Sequence, residues 1–241
     1  IGVLARITGL FSGKSYNLDS LTVGINAFRP VAFCQCYKVR RIFWTAAIRS
    51  ITSCFTTSTI THTGTRITPV MLTSGSLGTM GYGFPAAIGA KLGNPHKDVI
   101  AISGDGGMQM NIQEMATAIV YELPIIICIL NNGYLGNVRQ WQEMFYDRRY
   151  SSTCMRYRRS CETGCNTPNR YCPEYTPDFI ALAESYGAKG IRVTKPENIK
   201  TALISAKQNT KTPTVIEFII DREINVMPIV PPGNSLNDMI K

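Results

Sequence analysis

From Leu72 onward, the apolar residues follow two kinds of pattern: short continuous runs, and positions that recur at helical spacing. Two continuous aliphatic runs, residues 99–103 and 125–130, predict strands that are buried on both faces. A helix is predicted between them, because apolar residues recur there at helical spacing. These positions are Ile112, Met115, Ala116, Ile119 and Leu123. The pattern therefore predicts a strand–helix–strand unit with two parallel strands.

The same alternation continues on both sides of this unit. Pro85 suits the first turn of a helix, and Gly93 can end that helix. Strands that alternate with helices predict a parallel sheet with helices on both faces, so we expect an α/β fold. The additional predicted elements are, in chain order, helix 85–92, helix 178–186, strand 191–193, helix 194–208 and strand 215–220.

Polar residues and glycines follow each strand of the unit. Asp105 and Asn132 come at the carboxyl ends of the two strands, which is the ligand-binding edge of an open α/β sheet. A carboxylate and an amide oxygen suit Mg²⁺ that also takes phosphate oxygens and a backbone carbonyl. Gly104 permits a sharp turn, while Gly106 and Gly107 offer backbone N–H groups to a diphosphate. An ordinary glycine-rich turn is the alternative interpretation.

Composition and charge argue against two classes of function. The 241-residue chain has a formal charge of +9, but no acidic residue occurs between Asp19 and Asp98, so the excess is largely local. No nucleic-acid-reading module accompanies the basic residues, and we expect no nucleic-acid partner. We also expect no membrane segment, because no apolar run approaches the ~20 residues of a membrane-spanning helix.

Eight cysteines occur in a chain without a recognisable signal peptide, which does not favour a secreted disulfide framework. We therefore expect a cytoplasmic protein. Four of the cysteines, Cys154, Cys161, Cys165 and Cys172, lie within residues 151–175. Four thiols in one loop can hold zinc or form cross-links, but the usual C-x2-C pairs are missing. An ordinary surface loop is the simpler interpretation, and both remain open.

The sequences that flank the glycine and asparagine motif carry a more specific signal. Residues 73–83 read TSGSLGTMGYG, and residues 131–146 read NNGYLGNVRQWQEMFY. With residues 177–197 and 217–233, they resemble the large catalytic subunit of acetolactate synthase. The resemblance covers residues 71–241. It implies the thiamine-diphosphate-binding fold, thiamine diphosphate and Mg²⁺ as cofactors, and the 2-oxo acids pyruvate and 2-oxobutyrate as substrates.

The resemblance also implies roles for individual residues. Asp105, Asn132 and the backbone carbonyl of Tyr134 match the metal ligands of the family. Met80 matches the methionine that bends the cofactor, and Trp141 matches the tryptophan that favours 2-oxobutyrate as the second substrate. Core packing is the alternative role for both of these side chains. The remaining cofactor-binding positions implied by the resemblance are Gly78, Gly104, Gly106, Gly107, Leu135 and Gly136.

The amino-terminal part departs from this family. Residues 1–24 resemble the first helix and second strand of an ACT domain, as found in the small regulatory subunit of acetolactate synthase. Such a piece either contacts a partner or simply packs on a neighbour. Residues 25–70 show no persistent period and lack the family's Gln-rich diphosphate segment, so we interpret them as a junction between gene pieces. Asn137 stands where the family usually has Met or Leu beside the cofactor.

The resemblance further implies that this chain is incomplete. In the family, a glutamate from an amino-terminal domain activates the cofactor across a dimer interface, and a middle domain binds FAD. We therefore expect a fragment that is inactive alone. Its expected partners are further copies in a homo-oligomer or a chain that supplies the missing amino-terminal domain. A small regulatory subunit is a further candidate partner. The alternatives are another thiamine-dependent 2-oxo acid enzyme, or a non-catalytic regulatory relic. Trp141 opposes the first, and the intact block 73–140 opposes the second.

Overall fold

The computed structural model describes residues 58–63, 68–72, 74, 78–159, 161, 172, 177–231 and 233–240. The ACT-like piece at residues 1–24 and most of the junction at residues 25–70 lie outside the described residues. All residues proposed above for the metal and cofactor site lie within them.

A sheet forms the centre of the described part of the chain. Its strands are β1 Ser58–Thr63, β2 Thr68–Leu72, β3 Val99–Gly104, β4 Ile125–Asn131, β5 Lys189–Val193 and β6 Thr214–Ile219. The strand order is β2-β1-β3-β4-β6-β5. Strands β3, β4, β6 and β5 are parallel, which confirms the predicted α/β class.

The helices that cover this sheet are short. The α-helices of the described residues are α1 Gly83–Gly93, α2 Asp105–Gln109, α3 Glu114–Val120, α4 Gly136–Phe145, α5 Phe179–Ser185 and α6 Ile199–Lys207, and 3-10 turns occur at Pro196–Asn198 and Leu236–Asp238. Within the part of the chain that the structure describes, no helix is long and apolar enough to span a membrane.

Two apolar clusters sandwich the sheet. Helices α1, α3 and α5 pack on one face, against alternate residues of β4 such as Ile127 and Ile129. Helix α6 covers the other face, where Ala202 and Ala206 contact the β4 and β6 side chains. All seven residues of β4 are buried, so its uniformly apolar sequence is explained by coverage on both faces.

Strands β1 and β2 differ from the sequence-based expectation. They form an antiparallel pair, and β1 also pairs antiparallel with β3. The sequence of β1, STITHT, is mostly polar and alternates weakly, so no apolar period marked it as a strand. The sheet is therefore mixed, with an antiparallel edge on its parallel centre.

The predicted helix between β3 and β4 is divided in two. Helix α2 ends at Gln109, and helix α3 begins at Glu114 after a turn. This break changes the phase of the helix, so Ala118 faces the core while Ala116 is exposed. The expectation that Ala116 faces inward was wrong, whereas Met115 and Leu123 are buried as predicted.

Helix α5 is held at its amino terminus by a capping side chain. Asp178 Oδ1 accepts hydrogen bonds from the backbone N–H of Ile180 at 3.0 Å and of Ala181 at 3.2 Å. Arg192 Nη2 lies 2.5 Å from the same oxygen. The helix also sits directly on β5 at Gly190, since an added Cβ there would lie 2.6 Å from Ile180 Cγ2. The cap and this close approach together fix α5 on the sheet.

We predict that Asp178→Ala lowers the free energy of unfolding by about 1 kcal/mol at neutral pH, because the first turn of α5 loses its cap. Burial acts to raise the pKa of Asp178, but the Ala181 N–H and Arg192 outweigh it and hold that pKa below its usual value. The carboxylate therefore stabilises the fold at neutral pH, and this stabilisation is lost as the pH falls through the lowered pKa. Urea unfolding at pH 7 and at low pH measures both effects. Glu184→Ala, on the exposed side of the same helix, is the control and should change little.

Candidate active site

Asp105 lies at the junction between β3 and α2, and its side chain is buried. Its Oδ1 accepts a hydrogen bond from the backbone N–H of Gly106 at 3.0 Å. Its Oδ2 accepts one from the backbone N–H of Gly133 at 2.8 Å. The second bond joins the segments that follow β3 and β4, so the structure brings the two predicted metal-binding segments together.

The segment after β4 is a tight turn built from its own side chains. Asn131 Oδ1 accepts from the Gly133 N–H at 3.0 Å, and Asn132 Oδ1 accepts from the Tyr134 N–H at 3.0 Å. Gly133 has φ +71°, a conformation that favours glycine. The two amide side chains thus stabilise the turn. The turn lies at the carboxyl edge of the sheet, beside Asp105.

The electrostatics of Asp105 favour a cation at this edge. Burial raises the pKa of Asp105 to about 7, although the Gly106 and Gly133 N–H groups and the positive charge of Arg156 act to lower it. A buried carboxylate of this kind is stabilised when a cation binds it. Within the described residues, no group of three or more His, Cys, Asp or Glu side chains is placed to hold a metal ion. A cation here would therefore need amide, carbonyl or external oxygens in addition to Asp105.

A second group of predicted residues meets at Gly106. A Cβ built on Gly106 would lie 2.5 Å from Leu135 Cδ2, 3.2 Å from Met80 Cε and 3.5 Å from Met155 Sδ. The loop before α1, the start of α2 and the turn after β4 thus converge on one glycine. Met80 and Leu135 are both partly buried there. Their predicted roles in binding a ligand stay predictions.

The other predicted glycines take different positions. Gly104 is the last residue of β3 and has an extended backbone with open space around it. Gly107 lies inside α2, and Gly136 is the first residue of α4. Gly78 lies two residues before Met80 with φ +56°. Their contribution to ligand binding stays a prediction.

Trp141 projects from α4 to the surface. Its side chain is 37% exposed, so it does not cap the core. It lines an open, mostly apolar hollow of about 300 Å³ together with Val138, Tyr146 and Arg149. A flat aromatic wall of this kind can contact a small apolar substituent. The predicted specificity role of Trp141 stays a prediction.

The position of α4 is fixed by two buried polar side chains. Arg139 pairs with Glu143 at 2.6 Å and donates to the carbonyl of Glu223 at 3.2 Å and to Asn225. Gln140 exchanges hydrogen bonds of 2.9 and 3.0 Å with the backbone of Val226. The segment after β6 therefore holds the helix that carries Trp141. The sequence analysis predicted no helix at Gly136–Phe145 and gave neither residue a role, because their partners in that segment lie more than 80 residues away in the chain.

Residues 153–156 form a cover over the turn. Backbone hydrogen bonds of 2.9 Å run from the Leu135 N–H to the Thr153 carbonyl and from the Met155 N–H to the Gly133 carbonyl. The Arg156 side chain lies on Gly133, where a Cβ would come within 2.9 Å of Arg156 Nε. Sequence reasoning missed this cover because it assigned these residues to a surface loop.

Tyr134 has a cation over its ring. The Arg222 guanidinium lies 4.8 Å from the ring centroid, close enough for a cation–π interaction. Burial raises the pKa of Tyr134 to about 12, despite the opposing charge of Arg222. The ring is therefore neutral, and its stacking holds the residue whose backbone carbonyl is a predicted metal ligand.

Of the four loop cysteines, Cys154, Cys161 and Cys172 lie within the described residues, and Cys165 lies outside them. Cys154 and Cys161 are free thiols. Among the described residues, no group of three or more His, Cys, Asp or Glu side chains is placed to hold a metal ion there.

A family model for the thiamine pyrophosphate enzymes, C-terminal TPP binding domain, matches residues 52–218. This match includes every residue of the candidate site from Gly78 to Arg156. The chain belongs to the thiamine pyrophosphate enzyme family. The matched part of this TPP-binding domain begins ahead of residue 71, where the sequence analysis placed its start, and it contains β1 and β2.

Named relatives agree with this assignment. The TPP-binding domain is 46% identical to the acetolactate synthase large subunit of Corynebacterium glutamicum over 168 residues, 70% of this chain and 25% of that protein. It is 41% identical to a probable acetolactate synthase large subunit of Methanocaldococcus jannaschii, over 73% of this chain and 27% of that protein. It is 37% identical to the acetolactate synthase isozyme 3 large subunit of Escherichia coli, over 70% of this chain and 26% of that protein. The chain spans about a quarter of the length of these relatives.

We predict that Gly106→Ala separates folding from cofactor binding. The atoms nearest the new methyl group are the flexible ends of Leu135 and Met80, so these side chains should move toward the cofactor. Alanine is also the better helix former by about 1 kcal/mol, which offsets the strain. We therefore expect a melting temperature close to that of the wild type and weaker binding of thiamine diphosphate.

Gly89→Ala is the matched control, because Gly89 is an exposed glycine of helix α1, outside the predicted site, and its added methyl group meets no atom within 4 Å. Thermal unfolding and calorimetric titration on both variants test the prediction. Equal loss of affinity in the two variants would contradict it.

Proposed function

We propose that this chain is the cofactor-binding part of an acetolactate synthase. The reaction joins two pyruvates into 2-acetolactate with loss of CO₂, or joins pyruvate and 2-oxobutyrate into 2-aceto-2-hydroxybutyrate, as in the synthesis of valine and isoleucine. The observation that carries the proposal is the hydrogen bond from the Gly133 N–H to Asp105, which joins the two segments predicted to bind the cofactor. The relatives named above support the choice of acetolactate synthase within that family.

The described residues fit thiamine diphosphate with Mg²⁺. Asp105 is a buried carboxylate with a pKa of about 7, and it gains a counter-charge when a cation binds. Asn132 and the Tyr134 carbonyl would complete the protein's share of the ligands, and phosphate oxygens would supply others. When bound, the cofactor supplies the electron sink for decarboxylation of a 2-oxo acid.

The protein's own residues then have distinct tasks. Gly106 and Gly107 lie at the start of α2, where a diphosphate can approach. The Gly106 N–H donates to Asp105 Oδ1, so the Gly107 N–H is the candidate donor to the diphosphate. Met80 and Leu135 form an apolar wall that excludes water from the reacting end of the cofactor. Trp141 can discriminate one methylene group between the second substrates, which is worth ~1–3 kcal/mol.

We propose that other parts of the active site come from outside the described residues. The acids in and next to the glycine motif are Asp105, on the metal side, and Glu114, which accepts a hydrogen bond from Thr117 at 2.9 Å. Glu217 also lies near the site, but both of its oxygens are engaged by Asn131 and Arg192. None of the three is suited to hydrogen-bond the aminopyrimidine ring. A second polypeptide, or a second copy with further domains, would supply the activating carboxylic acid and an FAD site. A small regulatory subunit is an additional partner, and the cytoplasm is the expected location.

We predict that the chain binds thiamine diphosphate only in the presence of Mg²⁺. Asp105 should reach the diphosphate through the metal, because two anions repel each other. Asn132 should add its neutral amide oxygen to the same metal. Calorimetric titrations with Mg²⁺ and with EDTA test this directly. Asp105→Asn should strongly weaken the Mg²⁺-dependent binding itself, whereas Asp147→Asn, in an exposed loop, should leave it unchanged. Equal binding with and without the metal would overturn the metal bridge.

We also predict that the purified chain makes no acetolactate from pyruvate. Activation of the cofactor requires a carboxylic acid placed against the aminopyrimidine ring. Proton–deuterium exchange at C2 of the bound cofactor, followed by NMR, isolates this step from the later chemistry. Exchange should be slow for the chain alone and should accelerate on addition of a protein that contains the amino-terminal domain of an acetolactate synthase. Fast exchange by the isolated chain would show that it carries its own activating acid.

A further inference from the structure

A carboxylate lies inside the sheet, buried from solvent. Glu217, in β6, is fully buried, and its sequence neighbours are the apolar residues Ile216 and Phe218. A charged group in such surroundings destabilises the fold unless it is paired and hydrogen-bonded. The predicted cofactor site does not use Glu217, so its presence needs another explanation.

Both oxygens of Glu217 are engaged by neighbouring strands. Oε1 accepts a hydrogen bond from Asn131 Nδ2 at 2.7 Å, and Oε2 accepts one from Arg192 Nε at 2.7 Å. The register explains both contacts. Arg192, on β5, is paired directly with Glu217. On β4, Glu217 is paired directly with Ile129. Asn131 lies two residues after Ile129, so its side chain is on the same face of the sheet as that of Glu217.

The Asn131 contact has a directional consequence. An asparagine amide has a donor end and an acceptor end of nearly the same shape. Glu217 can only accept, so it takes the NH₂ end and leaves Asn131 Oδ1 for the Gly133 N–H at 3.0 Å. The same N–H reaches Asp105 Oδ2 at 2.8 Å. A flipped amide would instead direct two donors at each other.

We propose that Glu217 is a positioning residue of the cofactor site. Its carboxylate selects one orientation of the Asn131 amide, and that orientation holds the turn that carries Asn132 and the Tyr134 carbonyl. The expected effect on metal affinity rests on the function proposed above. The expected effect on the conformation of the turn at residues 131–134 is independent of that function.

Two isosteric variants and their combination test this role. Glu217→Gln offers a donor to Asn131 and so favours the flipped amide. Asn131→Asp places a second carboxylate against Glu217, and the two like charges repel. In the double variant, the carboxylate at position 131 accepts from Gly133 and from the new amide at position 217, whose oxygen accepts from Arg192. Every donor again meets an acceptor, and the total charge is that of the wild type.

We expect each single variant to weaken Mg²⁺-dependent binding of thiamine diphosphate by about 10- to 100-fold, as for other groups that orient metal ligands. The double variant should recover most of this loss. Asp178→Asn is the control for an effect through Arg192, because it removes the negative charge of another group that contacts Arg192 and keeps a capping residue. It should leave cofactor affinity unchanged.

Amide hydrogen exchange at Gly133, measured by NMR without any ligand, gives an independent measurement. Exchange should be faster in both single variants and near the wild-type rate in the double variant. If Glu217→Gln does not fold, the test rests on Asn131→Asp and the double variant, and the double variant should restore the Gly133 exchange rate and the affinity that Asn131→Asp loses. The proposal would be overturned if the losses of affinity in the two single variants added up in the double variant. It would also be overturned if Glu217→Gln folded and left both the Gly133 exchange rate and the cofactor affinity unchanged. If the wild type binds no cofactor but the exchange pattern is as stated, the positioning role holds and the proposed function fails.

Discussion

The parallel register between β3 and β4 is the constraint on which the site depends. It places Gly104 opposite Leu130, so the residues that follow each strand emerge side by side. The bond between Asp105 and the Gly133 N–H is possible only in this register. A shift by one residue would turn Asp105 toward the opposite face of the sheet. The apolar side chains that fill both faces of β4 therefore also align the polar groups at its end.

Around this edge, polar atoms are mostly bound by backbone groups. Asp105 accepts from Gly106 and Gly133, and Asn132 accepts from Tyr134. Such contacts hold the side chains in place without neutralising the carboxylate. The site thus combines fixed geometry with a buried carboxyl group whose pKa is raised to about 7, and a divalent cation would stabilise its ionised form.

Much of this arrangement could be predicted from the sequence. Strands β3 and β4 are long apolar runs, and the glycines and asparagines at their ends have strong turn preferences, so both the fold class and the sheet edge follow from local patterns. The division of the helix between them was not predictable, because the apolar spacing continues through the turn at residues 110–113. Glu217 and Arg156 were also missed. Their contacts join residues that are far apart in the chain, and no local period records such pairs.

The cover over the turn is held by main-chain atoms. Residues 153 and 155 pair with residues 135 and 133 through N–H and carbonyl groups alone, and any amino acid other than proline can provide the N–H. These main-chain bonds set the position of the cover, while the buried Thr153 side chain, which donates to Gln142, and the Met155 sulfur beside Gly106 fill the space beneath it. The stretch that follows, with its cysteines, can then lengthen or shorten without moving that cover. A loop of changing composition and a site of constant geometry can in this way occupy adjacent stretches of one chain.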